Sequence, residues 1–580
     1  MRRMKRAALA IVLLASCRDA SHAYDAGSAT DARAIVQTTP RAPIVVGIVV
    51  DQLAAWVLSE RAPLLPKDGG FARLMREGTY VREVRFAHAT CDTAPGHAAL
   101  YTGAPPHESG IDANETLDDD FEKVSFLADP KTTQIDAFSV RDGETSSSLA
   151  RLRVPTVADA LRAAKPDAVI VSLSLKDRGA IFGGGKNPTD VVWYDAAKGN
   201  FVTSSAFARA PTPWLKDSFF EDQKPYVDKV WDAPLHPDWV RAHSPTPDAQ
   251  RGEGDYLGLK STYPHALLEA SSPMKALRMT PFADHVLLAM GLRALDARRA
   301  QDHETLLAIS LSANDYIGHT FGPDSWEAWD ELDRLDTELA IFMRALDARY
   351  GPSGYAIVLA ADHGVVGMPE TATLAHACGD ADRWTRPCEA GERIMPRDLT
   401  NELRDAATRA LGPSPTKKPW VAGIAEPYVL LTERARTLSR ADHAKLVRAV
   451  EDALRAHRGV ERVYESAPAT CAPESDESLD ALVCRARSPR DDEALYVLLK
   501  PGSFFDAGYA EGAGTSHGSP YLFDRAIPTI ARAPGRVAAG RVIDTPTSYR
   551  VFAKTLADLL QVPAPAAVTD AASLASVDAR

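Results

Sequence analysis

Apolar runs recur along the chain, and each is stopped by residues that carry charge or an imidazole. Pro43 to Val50 is apolar throughout and ends at Asp51, while Ala168 to Leu175 ends in Lys176-Asp177-Arg178. Leu306 to Leu311 runs into Ser312-Ala313-Asn314-Asp315, and Tyr355 to Ala360 into Ala361-Asp362-His363-Gly364. Runs without alternation suit strands buried on both faces of a parallel sheet. Helical spacing lies between them: Gly70 to Glu77, stopped by Gly78; Thr156 to Ala164; Phe282 to Arg299; and the long amphipathic stretch Ser325 to Tyr350. Thr79 to Ala89 and Leu495 to Leu499 read as further strands, Arg440 to His457 as a helix, and Ser548 to Leu560 as the closing helix. Strands alternating with helices predict an α/β fold with a mostly parallel central sheet flanked by helices.

One stretch stands out, Cys91-Asp92-Thr93-Ala94-Pro95-Gly96-His97, followed by a short apolar segment closed by Gly103. Pro95 fits the first turn of a helix and Gly103 its C-terminal end. Thr93 then sits at a strand-to-helix turn beside backbone N–H groups that favour an anion. By itself such a threonine is an ordinary helix cap. Its neighbours decide which reading applies.

The pattern weakens in two places, from about 195 to 281 and from about 368 to 494, which read as cap insertions on one catalytic domain, 42–562. Residues 563–580 are Ala- and Pro-rich and are expected to form a loose tail. At the start, Arg2, Arg3, Lys5 and Arg6 precede the apolar Ala7 to Ala15, and Leu14-Ala15-Ser16-Cys17 resembles a bacterial lipobox. Residues 1–17 are therefore expected to be a lipoprotein signal peptide and 18–41 a flexible tether, giving an exported, periplasmic protein lipid-anchored through Cys17. The alternative is an ordinary signal peptide cut near Ser21-His22-Ala23. In an oxidising compartment Cys378/Cys388 and Cys471/Cys484 are each spaced to close a small loop, with connectivity left open, and Cys91 reads as buried packing.

Composition narrows the partners. Hydrophobic content of 45%, charged content of 25% and a net charge of −12 are those of a soluble globular protein without a nucleic-acid-binding surface. No later stretch is long and apolar enough to span a bilayer, so membrane contact is expected only through the lipid anchor. A monomer acting on small molecules is expected.

Ligands of open α/β sheets gather at the carboxyl ends of the strands. There the sequence places Asp51, Thr93, Lys176, Arg178, Asp315, Asp362 and His363, with His319 and His517 in Gly-containing turns nearby. Carboxylate and imidazole are zinc ligands. In combination, Val49-Val50-Asp51-Gln52, Thr93 to His97, Ser174 to Gly179, Asn314-Asp315 with His319, Ala361 to Gly364 and Gly514 to Tyr521 resemble the alkaline phosphatase superfamily. The resemblance is to its phosphate-irrepressible branch with a threonine nucleophile, which shares the type I phosphodiesterase/nucleotide pyrophosphatase fold. It implies an alkaline-phosphatase-like fold and two Zn²⁺, one held by Asp315, His319 and His517, the other by Asp51, Asp362 and His363 with Thr93. Thr93 would attack phosphate monoesters and pass through a phosphothreonine intermediate. Lys176 and Arg178, two apart on an extended segment, would face the phosphoryl oxygens. Asn114, in Ser109-Gly110-Ile111-Asp112-Ala113-Asn114-Glu115, would contact them too, although this segment departs from the family pattern. His88, His97, His107 and His376 are read as structural or surface residues.

Rivals are weaker. A sulfatase needs a Cys or Ser where Thr93 stands and an Arg where His97 stands. A zinc phosphodiesterase or nucleotide pyrophosphatase would use the same ligands and is the alternative to a monoesterase; a Lys/Arg pair suits the more charged monoester. A phosphoethanolamine transferase carries membrane spans absent here. An inactive metal- or phosphate-binding lipoprotein is disfavoured because ligands and nucleophile are all present.

Overall fold

The apolar runs lie side by side. The computed structural model describes residues 44–575 apart from 373–383, 417, 466, 490–493, 507 and 510. Strands Tyr355–Ala360, Ile44–Val50, Thr305–Leu311, Val169–Ser174 and Asp190–Asp195 run parallel in that order at the centre of a twelve-stranded sheet. Antiparallel strands extend it on both sides. Ala526–Arg532 pairs with Tyr355–Ala360 and then with Thr79–Arg85, while Asn200–Ser204, Ala128–Asp136 and Val140–Ser147 build the other edge.

The first four central strands are buried along their whole length because helices cover both faces. Successive side chains point to opposite faces, and the helices follow that alternation. Helix Phe282–Ala297 presses Gly291 against Leu307 and Ile309, whereas Gly183 of helix Asp177–Gly184 faces Ala308. Several predicted helices end within a residue of the pattern, and Thr156 and Ser325 cap theirs as N-cap residues do.

The second insertion carries its own sheet, strands Val421–Ala425, Tyr428–Leu431, Ala494–Leu499 and Val460–Tyr464, all antiparallel. Helices Pro396–Leu411 and Arg440–Ala456 bury Leu403, Leu446 and Val450 in a separate core beside Val429 and Val497. Strand Ala494–Leu499 thus belongs to this sheet, not to the central one, because a strand's own residues do not specify its partner. The first insertion begins within the central sheet and continues from Pro213 in short helices. The described residues from Ile44 to Ala575 form one compact unit.

The tail expected to be loose is corrected up to residue 575. Val568 is fully buried, packed where a Cβ on Gly103 would fall, and Ala575 bridges to Val537. The prolines interrupt helix formation, but the segment keeps apolar groups whose burial favours docking. Cys471 and Cys484 form a disulfide, whereas Cys388 and the buried Cys91 have no disulfide partner among the described residues. Cys378, the leader with Cys17 and the tether lie outside the described residues. No helix among the described residues is long and apolar enough to cross a membrane.

The long helix Trp326–Tyr350 holds helix Gly70–Glu77 through one buried carboxyl. Asp336 Oδ1 accepts the Phe71 N–H at 2.7 Å, and Gly69 and Gly70 have no Cβ where Asp336 and Leu339 press on the backbone. Burial pushes the Asp336 carboxyl up from 3.8 to about 7, against the pull of the Phe71 N–H. The folded protein therefore keeps a proton that the unfolded chain loses, and this group's contribution to stability declines as pH rises from about 3.8 to about 7. Asp336→Asn retains the acceptor and cannot ionise. Thermal melts of the variant should match the parent in acid and lie above it in mild alkali; a difference independent of pH would reject this account.

Candidate active site

The helix that presents Thr93 is built from its cap upward. Asp92 is extended, at φ −136° and ψ 162°, and its Oδ1 accepts the Thr93 N–H at 3.1 Å. Asn114 Oδ1 accepts the next free N–H, from Ala94, at 2.7 Å, while its Nδ2 donates to Asp92. The N–H groups expected to be open to an anion at Thr93 and Ala94 are therefore already taken, and Asn114 braces the helix start. Gly96 lets the helix lie on the next element, since a Cβ there would come within 2.1 Å of the Asp362 carbonyl oxygen. That close approach sets Thr93 Oγ1 3.5 Å from His363 Nε2 and 3.2 Å from Lys176 Nζ.

Around Thr93, carboxylates and imidazoles form three tight groups: Asp315, His319 and His517; Asp51, Asp315 and His363; and Asp92, His363 and His517. Within each group one ligand atom per residue lies within 4.8 Å of the others. Each histidine has its Nδ1 against a backbone carbonyl: His319 on Thr515 at 2.9 Å, His517 on Cys91 at 3.1 Å and His363 on Gly364 at 3.0 Å. A carbonyl accepts only, so Nδ1 carries the proton and Nε2 turns toward the cluster, as in metal-binding histidines. His319 and His517 bring their Nε2 atoms to 3.2 Å of one another, beside Asp315 Oδ1 at 3.2 Å and 3.4 Å. Two imidazole nitrogens and a carboxylate oxygen so placed fit one shared divalent cation. Gly514, at φ +68°, is required here, because a Cβ would come within 1.8 Å of the His319 carbonyl oxygen.

Asp362 stands apart from these groups. Its Oδ1 accepts the Gln52 N–H at 3.2 Å, and its Oδ2 lies 3.0 Å from His97 Nδ1 and 3.6 Å from His363 Nε2. Asp51 and Asp315, both fully buried, flank the Lys176 ammonium at 2.6 Å and 2.5 Å. Burial and Asp315 push the Asp51 carboxyl up, but Lys176 and His363 outweigh them and hold it below the usual carboxylate range. Burial lowers His363, and Asp362 and Asp51 more than offset this, raising it to about 10. The local field thus strongly favours positive charge beside His363.

Lys176 is extended at φ −120° and ψ 142°, but Arg178 stands on the first turn of helix Asp177–Gly184. The extended Lys-x-Arg segment is corrected accordingly: Asp177 favours helix initiation there through the dipole. Both cations still line one cavity of about 100 Å³ with Thr93, Asn114, Asp315 and His517. Arg178 lies 3.7 Å from Asp177, and its buried Nε has no hydrogen-bond partner.

Two contributors escaped sequence reasoning. Gln52, at φ +66°, donates its Nε2–H to Asp315 Oδ1 at 2.8 Å, and Asp92 joins a ligand group as well as capping the helix. Both flank singled-out residues, which was the only signal. His97 packs as expected, reaching the Thr93 carbonyl and Ser310 Oγ, each at 2.9 Å. His88 is buried and its basicity lowered to about 3, chiefly by burial, and His107 meets the Arg487 carbonyl. His376 lies outside the described residues.

The family described as type I phosphodiesterase / nucleotide pyrophosphatase matches residues 45–397. Alkaline phosphatase PhoV of Synechococcus elongatus is 33% identical over 340 residues, 57% of this chain and 61% of the relative. Alkaline phosphatase PhoK of a Sphingomonas species is 29% identical over 86% of this chain and 85% of its own. Alkaline phosphatase PafA of Elizabethkingia meningoseptica is 33% identical over 63% of this chain and 66% of its length. The matched span thus covers less than two thirds of PhoV and PafA. The crystal structure of wild-type PafA superposes with a TM-score of 0.74 at 24% identity, over 92% of this chain and 98% of that one, and shows the same fold.

Asp315 touches two of the three groups and faces both His319 and His517. Asp315→Asn should lower the divalent metal retained after loading and dialysis, read by elemental analysis. A variant with the parent's metal content would remove Asp315 from the ligand set.

Proposed function

Because the chain belongs to the type I phosphodiesterase / nucleotide pyrophosphatase family, we propose that it is a zinc-dependent phosphate monoester hydrolase, an alkaline phosphatase that works through a phosphothreonine. One observation carries the reading: three imidazoles fixed through Nδ1 and two buried carboxylates surround a threonine hydroxyl that also meets a lysine. Relatives named as alkaline phosphatases support it.

His319, His517 and Asp315 would hold one ion, and His363 and Asp51 the other, with Asp362 beside them. Two zinc ions, when bound, supply Lewis-acid charge that lowers the pKa of a hydroxyl and polarises phosphoryl oxygens. The chain supplies position and charge. Thr93 Oγ gives up its proton to solvent and forms a bond to phosphorus as the bond to the ester oxygen breaks, and the alcohol leaves with a proton from solvent. Water then attacks the phosphothreonine, releasing phosphate and returning the proton to Thr93. Asp92, Asn114 and His97 fix the helix start, so the hydroxyl need not be ordered at the moment of attack. Lys176, 3.2 Å from Oγ1, stabilises the threonine oxygen, and Arg178 faces the charge on the phosphoryl group.

The pair of cations distinguishes a monoester from the diester of the alternative reading, since a monoester presents more charge. The lipobox-like start supports an exported enzyme anchored through Cys17.

Two measurements check this. Thr93→Ala should keep its metal but lose turnover of an aryl phosphate and the phosphoryl mass adduct; near-parental turnover would sink the nucleophile. Arg178→Ala is cleaner than a Lys176 change, which would leave Asp51 and Asp315 unbalanced. It should cost monoester kcat/KM about tenfold or more, the worth of one charge-assisted hydrogen bond, and diester kcat/KM less. Equal losses would return the diesterase reading to first place.

A further inference from the structure

The floor of the cavity belongs to the reacting groups; its walls come from elsewhere. Leu499, at the end of the inserted sheet's strand Ala494–Leu499, and Phe505 and Tyr509 beyond it give one wall an apolar edge. Opposite charges rim it. Lys123, on hairpin Glu115–Ser125, places its ammonium 3.3 Å from Glu115 and 3.2 Å from Glu426, the latter in the inserted sheet's first turn. Glu115, Lys123 and Glu426 all line the cavity. Two carboxylates against one ammonium leave a net negative charge at the rim. Lys418 also reaches the hairpin, donating to the Asp119 carbonyl at 2.8 Å, and Leu117 packs where a Cβ on Gly423 would fall. Hairpin and insertion are therefore fastened together over the site.

We propose that this outer region is a leaving-group subsite that accepts aromatic or apolar uncharged groups and turns away anionic ones, with Glu115, Lys123 and Glu426 as the discriminating triad. The inference rests on the monoesterase reading. Lys176 and Arg178 draw the phosphoryl group to the floor, so the rest of the ester must lie along the walls. An aryl group meets Tyr509 and Phe505 there, whereas a carboxylate meets Glu115 and Glu426 with only one ammonium between them. The side chains are 38%, 41% and 26% exposed for Lys123, Glu115 and Glu426, so solvent screens the effect without abolishing it.

The test compares two aryl phosphates, one bearing a neutral carboxamide and one a carboxylate, on the metal-loaded protein. The reading is the ratio of kcat/KM for the anionic ester over the neutral one. Glu426→Gln should raise that ratio about three- to tenfold, the scale of one partly screened charge at close range. Lys123→Met should lower it. General loosening of the rim would move both variants in the same direction, so opposite shifts support the subsite and parallel or absent shifts overturn it. A parent that hydrolyses neither ester overturns the monoesterase reading itself. A parent that hydrolyses both, with a ratio no variant moves, overturns only the subsite.

Discussion

Negative charge packed without water is the constraint on which this structure depends. Asp51, Asp315 and Asp362 are all fully buried at the ends of three adjacent parallel strands. An unpaired buried carboxylate costs several kcal/mol, so the surroundings must answer each one. Lys176 reaches Asp51 and Asp315, Gln52 donates to both Asp315 and Asp362, and His97 and His363 close on Asp362. These partners come from different strand ends and loops, and only the finished sheet brings them together. The same crowding that makes the site costly makes it attract cations, which is what a metal centre requires.

Backbone proximity is the second half of that requirement. Gly96 rests on the Asp362 backbone and Gly514 on the His319 backbone, each where a Cβ would overlap its neighbour. The carboxylates and imidazoles can converge because the backbones behind them converge first. Carbonyls then orient the rings, so that His319, His363 and His517 need no further choice of tautomer.

Legibility in the sequence followed burial. Ile44–Val50 and Tyr355–Ala360 were readable because strands buried on both faces are apolar throughout, and Asp51 and Asp362 were readable because they interrupt such runs. Val140–Ser147 was not, since an edge strand that is exposed at half of its positions carries no apolar period. Ala526–Arg532 went unnoticed although it is buried, because Pro528 and Arg532 break its apolar run. Leu495–Leu499 was found as a strand and given to the wrong sheet, pairing being a property of two segments. At the site, residue types pointed to the ligands, but Asn114 and Asp92 act through cap geometry that composition does not encode. Arg178 was placed on a strand when one residue's difference put it on a helix.

Hairpin Glu115–Ser125 shows how an unremarkable segment couples these parts. Asn114 at its foot holds the Ala94 N–H, Ser125 donates to Asp177 at 2.6 Å, and Lys123 reaches across to Glu426. One hairpin thereby touches the helix that carries Thr93, the residue before Arg178 and the wall supplied by the insertion. Displacing it would disturb all three at once, so its conformation is constrained by chemistry at the floor and recognition at the rim together. An insertion that merely covered the sheet would need no such tie. Here the added sheet is joined by the Lys123–Glu426 ion pair and by packing to the element that braces Thr93, so variation in the insertion can reshape the mouth of the cavity without rebuilding the carboxylates and imidazoles at its floor.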